Sequence, residues 1–199
     1  KYRRLILLCG SRLPEAYQNF KKLLIAIQLI QHSSPLAVFL PLNSSSMSKT
    51  IKLILIDLGF KSTYESIDEL GISEIWKKKS LLILIGFNQF SSWANWGEVG
   101  VANAGTATEQ LVGLGIPCVS LPGKGPQFNF NFAKRQSRLL GGAVAIAKGY
   151  QALAKRVEFL LNSDFDRHAI GLRGSKRMGE VGGSHSLALI ISTHLSQRS

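Results

Sequence analysis

The sequence predicts an α/β protein with a parallel sheet covered by helices on both faces, and three observations carry that prediction. Short, uninterrupted apolar runs recur along the 199 residues: "LILLC", "LAVFLPL", "LLILIG", "VGVAN" and "PCVSLPG". Strands buried on both faces read this way. Between the runs lie segments whose apolar residues repeat at helical spacing. Glycine and small polar residues stand where the runs stop, as strand-to-helix turns require. Strands alternating with helices argue for parallel pairing and crossover helices.

Taken in order, Leu5 to Cys9 is the first strand. Gly10-Ser11-Arg12 follows, and Pro14 suits the first turn of a helix with Tyr17, Phe20, Leu24 and Ile27 as its apolar stripe. Leu36 to Leu42 is the second strand, "NSSSMS" a loop, and "KTIKLILIDLGF" a helix closed by Gly59. Lys61 to Lys79 holds turn signals and three consecutive lysines and matches neither period. Leu81 to Gly86 is the third strand and "QFSSWANW" a short helix. "VGVAN" is the fourth strand, "ATEQLVGLG" a helix, "PCVSLPG" the fifth strand, and "QFNFNFAKRQSRLLGG" a helix with a glycine stop. Leu153, Val157, Leu160 and Leu161 mark one further helix, and Leu187, Ile190 and Ile191 a last one. One domain is expected to span residues 1–199.

The bulk properties set limits. A chain of this length buries roughly 70% of its unfolded surface and needs no disulfide or metal to be stable. Hydrophobic content of 45% and charged content of 18% are ordinary for a globular protein. The longest apolar runs are too short to span a bilayer, and the start carries no signal-peptide pattern, so a cytoplasmic location is expected. Cys9 and Cys118 each end an apolar run and read as small core residues in a reducing compartment. The histidines, at 32, 168, 185 and 194, lack metal-ligand spacing, so no metal site is expected. The net charge of +12 points to an anionic partner: nucleic acid, a phosphorylated small molecule or an acidic membrane surface. Lys134, Arg135 and Arg138 form one basic cluster, and Arg167, Arg173, Lys176 and Arg177 another. No nucleic-acid-binding motif accompanies them. The first residue is Lys1 and a strand follows at once, which reads as part of a longer chain.

Ligands of open parallel sheets bind beyond the carboxyl ends of the strands. Those ends are Gly10-Ser11-Arg12, Gly86-Phe87, Ala104-Gly105-Thr106 and Pro122-Gly123-Lys124. Gly105 permits close backbone approach. Thr106 opens a helix, whose free N–H groups favour an anion, with the Thr106 and Thr108 hydroxyls as further donors. Glu109 accepts hydrogen bonds only and suits a vicinal diol such as a ribose. The same residues also match a Thr-x-x-Glu capping box, in which Glu109 does no more than start the helix. Gly10-Ser11-Arg12 either wraps a phosphate or is a plain tight turn; it lacks the ending of a Walker loop. In "GKGPQF", Gln127 at a helix start offers both donor and acceptor to a sugar, or lies on a solvated face with Asn131, Lys134 and Arg138.

The run of Gly-Thr-x-Thr-Glu-Gln, "GLGIP", "PGKGPQF" and "FAKRQSRLLGG" resembles the carboxy-terminal half of GT-B glycosyltransferases, a Rossmann-like unit. More narrowly it is similar to bacterial, cyanobacterial-type proteins related to lipid-A-disaccharide synthase. "LLCGSRLPEAYQN" resembles the loop opening that half and "KRMGEVGGSHSLA" its closing segment, so the resemblance runs from Leu5 to about Leu195. It implies a domain that binds a nucleotide sugar, usually a UDP-sugar. Gly10, Ser11 and Arg12 would face the diphosphate, and Gly105, Thr106 and Thr108 would cradle it from the other side. Glu109 would hold the ribose, Gln127 would sit near the sugar, and Lys124 would help stabilise the leaving diphosphate.

No cofactor is implied. The acceptor is unspecified, with a lipid among the options and a peripheral membrane contact suggested by the charge. The general base of such enzymes belongs to the amino-terminal half, so no catalytic residue is assigned here and this chain alone is expected to transfer no sugar. The helices from about residue 150 are expected to pack back or toward that half. Phe87 is the candidate contact to the base. Two other readings stand beside this one. A UDP-sugar 2-epimerase half would need catalytic carboxylates and histidines not evident here. A non-catalytic nucleotide- or RNA-binding module would use the basic face with Phe128, Phe130 and Phe132, although spacing puts Phe128 and Phe132 in the core.

Overall fold

The computed structural model of the chain describes residues 1–63, 70–123, 125, 128–180 and 182–196. The elements in order are β1 (Arg3–Leu8), α1 (Glu15–Ile27), β2 (Leu36–Leu42), α2 (Ser48–Asp57), β3 (Lys61–Thr63), β4 (Glu74–Lys78), β5 (Leu81–Phe87) and α3 (Phe90–Trp93). They continue with β6 (Val99–Ala102), α4 (Thr106–Gly113), β7 (Cys118–Ser120), α5 (Phe130–Leu139), β8 (Val144–Ile146), α6 (Tyr150–Asn162), α7 (Asp164–Met178) and α8 (Gly183–Ser196). The described strands form one sheet in the order β3-β4-β5-β2-β1-β6-β7-β8. From β5 through β8 every neighbouring pair is parallel, whereas β3–β4 and β4–β5 are antiparallel. The predicted α/β class with a parallel, doubly covered sheet is therefore the observed one.

The apolar runs become strands because both faces are covered. Leu5, Leu7, Val38, Leu40, Ile83 and Ile85 pack with Phe20 and Leu24 of α1, Ile51 of α2 and Leu153 of α6 on one face. Ile6, Leu8, Phe39 and Leu84 pack with Trp93 of α3 and with Leu111 and Val112 of α4 on the other. Cys9 and Cys118 are buried free thiols in these two cores, and burial pushes both up from 9.0 to about 12. Neither should react with a thiol-specific disulfide reagent at pH 8 until the protein is unfolded by guanidinium; rapid labelling of the native chain would contradict their burial. Because folding raises these values, the thiols weaken the fold only as pH climbs from 9 toward about 12.

Five elements depart from the sequence expectation. The ambiguous Lys61–Lys79 region supplies β3 and β4, which extend the sheet at an edge. A lysine on an edge strand discourages foreign pairing, as Lys61 does on β3, and Lys61, Lys77 and Lys78 hid the strand pattern. Strand β8 is only three residues long and lies between a glycine stop and α6. Helix α7 lacks an apolar stripe because its buried positions are Gly171 and Gly174. The predicted helix at Gln127 begins later, at Phe130, where the Asn129 side chain accepts a capping bond from the Phe132 N–H at 3.0 Å.

Of the final helices, α6 packs on α1 and α7 on α4. Every described side chain of α8 is exposed, including Leu187, Ile190 and Leu195. No helix among the described residues is long and apolar enough to cross a membrane.

Candidate functional site

Strand β1 lies between β2 and β6, where the order of connection reverses, and a crevice opens at such a point. Pairing of β1 with β2 ends at Ile6↔Phe39, while pairing with β6 continues to Leu8↔Ala102. Past that fork lies a cleft of about 690 Å³, walled by Leu8–Arg12, Pro41–Asn43 and Asn103–Ala107, with Glu15, Glu109 and Phe128 also on its surface. Pro41, which has no N–H to donate, sits beyond the last β1–β2 pair.

A buried amide pair holds the rim together. Asn103 is 2% exposed and Asn19 5%. The Asn103 Nδ2 donates to Leu121 O at 2.7 Å and to Asn19 Oδ1 at 3.1 Å, and its Oδ1 accepts from the Leu121 N–H at 3.0 Å. Asn19 Nδ2 donates to Cys9 O at 3.2 Å. The ends of β1, β6 and β7 are thus tied to one face of α1. Gly10 has φ +85° and a Cβ there would stand 3.3 Å from Asn103 O, so glycine suits both the conformation and the close approach.

The Gly105 turn resolves the capping alternative. Helix α4 starts at Thr106, with Gly105 as its cap and no side-chain capping bond. A capping box needs Thr106 at the cap position itself. Glu109 lies instead on the cleft wall, where Gln136 Nε2 donates to its Oε1 at 3.4 Å. The same Nε2 donates to Gly105 O at 3.2 Å and to Ala104 O at 3.3 Å, holding turn and carboxylate in register. The first amides of α4 have no intrahelical acceptor by construction, and those of Thr106 and Ala107 belong to cleft residues.

Of the residues expected at the site, Gly10, Ser11, Arg12, Gly105, Thr106 and Glu109 line this one cleft. Thr108 does not. It is 0% exposed, and its Oγ1 donates to Ala104 O at 2.7 Å. Two residues along a helix is roughly 200° of rotation, so when Thr106 faces the cleft Thr108 must face the core. Lys124 and Gln127 lie outside the described residues. Phe87 packs on the core cluster rather than lining the cleft, and Phe90, Phe128 and Phe132 are rings found there instead. Phe132 and Phe128 meet at 5.3 Å between ring centres.

Sequence reading missed Glu15, Asn19, Asn103 and Gln136 as site-building residues. One signal was present: Asn19 and Gln136 interrupt otherwise apolar helix faces. A polar residue buried there needs a partner.

Glu15 reaches across from α1 and its Oε1 accepts the Phe128 N–H at 3.0 Å. Phe128 O in turn accepts from Gly123 N at 3.0 Å, closing the neck of the segment after β7. Lys22, two turns along α1 from Glu15, lies beside Gly123. Burial pulls its ammonium below the usual lysine range, and the Glu15 carboxylate opposes that.

No family model matches the chain, and no curated protein matches it in sequence. Solved structures do match in fold. A Listeria monocytogenes protein provisionally assigned as a UDP-N-acetylglucosamine 2-epimerase superposes with TM-score 0.61 at 14% identity, over 98% of this chain and 46% of that one. The UDP complex of MnaA from S. aureus gives TM-score 0.60 at 13% identity, over 98% and 46%. The C-terminal CMP-Kdo-binding domain of WaaA from Acinetobacter baumannii gives TM-score 0.60 at 15% identity, over 90% of both chains. The chain thus spans about 46% of the two longer proteins and nearly all of the third. Its fold is that of one Rossmann-like half of a GT-B architecture.

Proposed function

We propose that this chain is the nucleotide-sugar-binding half of a glycosyltransferase, with a UDP-sugar in the cleft described above. The observation that supports this reading best is the meeting of two distant loops, Gly10–Arg12 and Gly105–Thr106, with Glu109 turned to the same space. Backbone N–H groups and the start of α4 suit a diphosphate. A carboxylate one turn further on suits a diol and repels a phosphate. The sugar leaves the nucleotide by direct displacement, and these donors stabilise the charge that develops on the diphosphate. No residue of this chain takes the part of general base. That group, the acceptor site and the surface that would cover the apolar α8 are assigned to an amino-terminal half. The narrower affinity to lipid-A-disaccharide-synthase-related proteins rests on the sequence motifs.

Calorimetric titration with UDP, GDP, ADP and UMP tests the reading. UDP is expected to bind most tightly, and Thr106→Ala combined with Glu109→Ala to weaken it roughly 10- to 100-fold by removing a donor and a charged acceptor. A chain that ignores every diphosphate yet binds RNA with steep salt dependence would instead be a basic-surface module. A UDP-sugar 2-epimerase half is the second reading, favoured by the Listeria monocytogenes match over 98% of the chain. Both readings put UDP in the cleft. The product made by a two-domain protein separates them: a new glycosidic bond or an inverted C2.

A further inference from the structure

We propose that the outward face of α7 is a docking surface for an anionic lipid bilayer. Arg138, Arg173, Lys176 and Arg177 meet the headgroups, and Leu114, Leu139 and Leu172 enter between them.

Helix α7 underlies the sheet at the end opposite the cleft. Asp164, in its first turn, lies 3.8 Å from Arg3, where β1 begins. Farther along, Gly171 lies against the Gly115 carbonyl, and Ser175 Oγ donates to Gly113 O at 2.9 Å. Those contacts fall at the turn between α4 and β7. Arg173 and Arg177 then reach the turn between α5 and β8, where a Cβ on Gly141 would stand 2.9 Å from Arg177 Cγ and 3.3 Å from Arg173 Cγ. All three places are amino ends of parallel strands, whereas the cleft opens at carboxyl ends. The helix buries Gly171 and Gly174 and leaves Leu172, Arg173, Lys176 and Arg177 exposed.

Charge and apolar exposure coincide on this face. Arg138, in the last turn of α5, joins the three cations of α7 across the Gly141 turn. None of the ion pairs among the described residues involves these four side chains. The acidic residues of α7, Asp164 and Asp166, lie in its first turn, and Arg177 is about 16 Å along the axis from Asp166. Glu180, past the end of the helix, is the opposing charge that follows. Interleaved with the cations are Leu139, 65% exposed, Leu172, 58% exposed, and Leu114, 50% exposed. Leu114 ends α4 next to Gly113, which meets Met178 of α7.

That combination selects the partner. Nucleic acid uses the cations but gains nothing from the leucines, and single strands are held by stacking on rings. None of these seven residues is aromatic. A bilayer uses both features: anionic headgroups attract Lys and Arg, and exposed apolar side chains enter the interface. The net charge of +12 adds attraction at longer range. Docking through this face leaves the cleft clear, so the proposal stands apart from what the cleft binds.

Co-sedimentation with vesicles tests it. In about 0.1 M salt the chain is expected to bind vesicles of phosphatidylcholine and phosphatidylglycerol in equal parts, and not vesicles of phosphatidylcholine alone. Arg173→Gln combined with Lys176→Gln is expected to weaken binding about 25-fold, roughly fivefold per charge. Leu139→Ser combined with Leu172→Ser keeps every charge and is expected to weaken it roughly tenfold. Lys49→Gln combined with Lys61→Gln removes the same charge from exposed positions on other elements, and binding should stay within about twofold. Failure of the unmodified chain to sediment with the anionic vesicles would overturn the proposal, as would an equal loss in the Lys49 and Lys61 control. Full binding by the leucine variant would overturn it too, leaving a plain basic surface. Tighter binding to RNA than to the vesicles, untouched by the leucine changes, would assign that surface to nucleic acid instead.

Discussion

Asn103→Leu is expected to destabilise the chain by about 3–5 kcal/mol, read as a fall in the urea midpoint, because it strands several buried polar groups at once. Leu121 N–H and C=O and the Asn19 Oδ1 all lose their partner, and Leu offers nothing in return. Against a total stability of roughly 5–15 kcal/mol for a domain, that is a large fraction. Asn19→Ala removes the link to Asn103 and the bond to Cys9 O but leaves the Leu121 bonds intact, so it should cost about half as much. The two changes share a bond and should fall short of additivity, by about 0.5–3 kcal/mol in a double-mutant cycle. Binding of a nucleotide at the proposed site should fall more than stability requires, because the Asn103 side chain ties the ends of β6 and β7 to Asn19 and, through it, to Cys9 at the rim. If Asn103→Leu costs less than about 1 kcal/mol, this network is not what ties the loops together.

Gly171→Ala should cost about 3 kcal/mol or more, the upper range for overpacking. A Cβ on Gly171 would stand 1.9 Å from the carbonyl oxygen of Gly115, and a backbone oxygen cannot step aside as a side-chain end can. The collision is between α7 and the turn that ends α4, so the whole helix would have to lift. Gly174→Ala meets Val112 Cγ1 at 2.5 Å and Ala143 Cβ at 2.6 Å, both side-chain atoms, and should cost less. Gly183→Ala, in α8 with nothing within 4 Å, is the control and should be neutral or slightly stabilising. Thermal melts of the three variants should rank in that order. A Gly171 variant that melts like the control would mean α7 does not pack on α4 as described.

The parallel strands from β1 to β7 were legible because continuous apolar runs need burial on both faces, and Gly59 was legible as a helix stop. Helix α7 was not, because close packing through Gly171 and Gly174 leaves no apolar stripe to count. Strands β3 and β4 were hidden by the charges of Lys61, Lys77 and Lys78. At the site, the turn residues from Gly10 to Arg12 and from Gly105 to Thr106 could be named from local chemistry. Glu109 could be named too, although a capping box explained it equally well until Thr106 proved to lie inside the helix. Thr108 was placed on the wrong side, since spacing in the motif does not say which way a helix is turned against its sheet.

By itself, the sequence determined the alternation of strands and helices, the carboxyl edge on which the turns fall, and the residue types suited to anion and diol. Those depend on neighbours a few positions apart. Tertiary structure alone decided that Thr108 turns inward, that Asn19 and Asn103 meet across 84 residues, and that Glu15 and Gln136 reach loops 113 and 31 or more residues away. The reason is physical: which buried polar group finds which partner depends on how α1, α5 and the strand ends are brought together, and no local period encodes that.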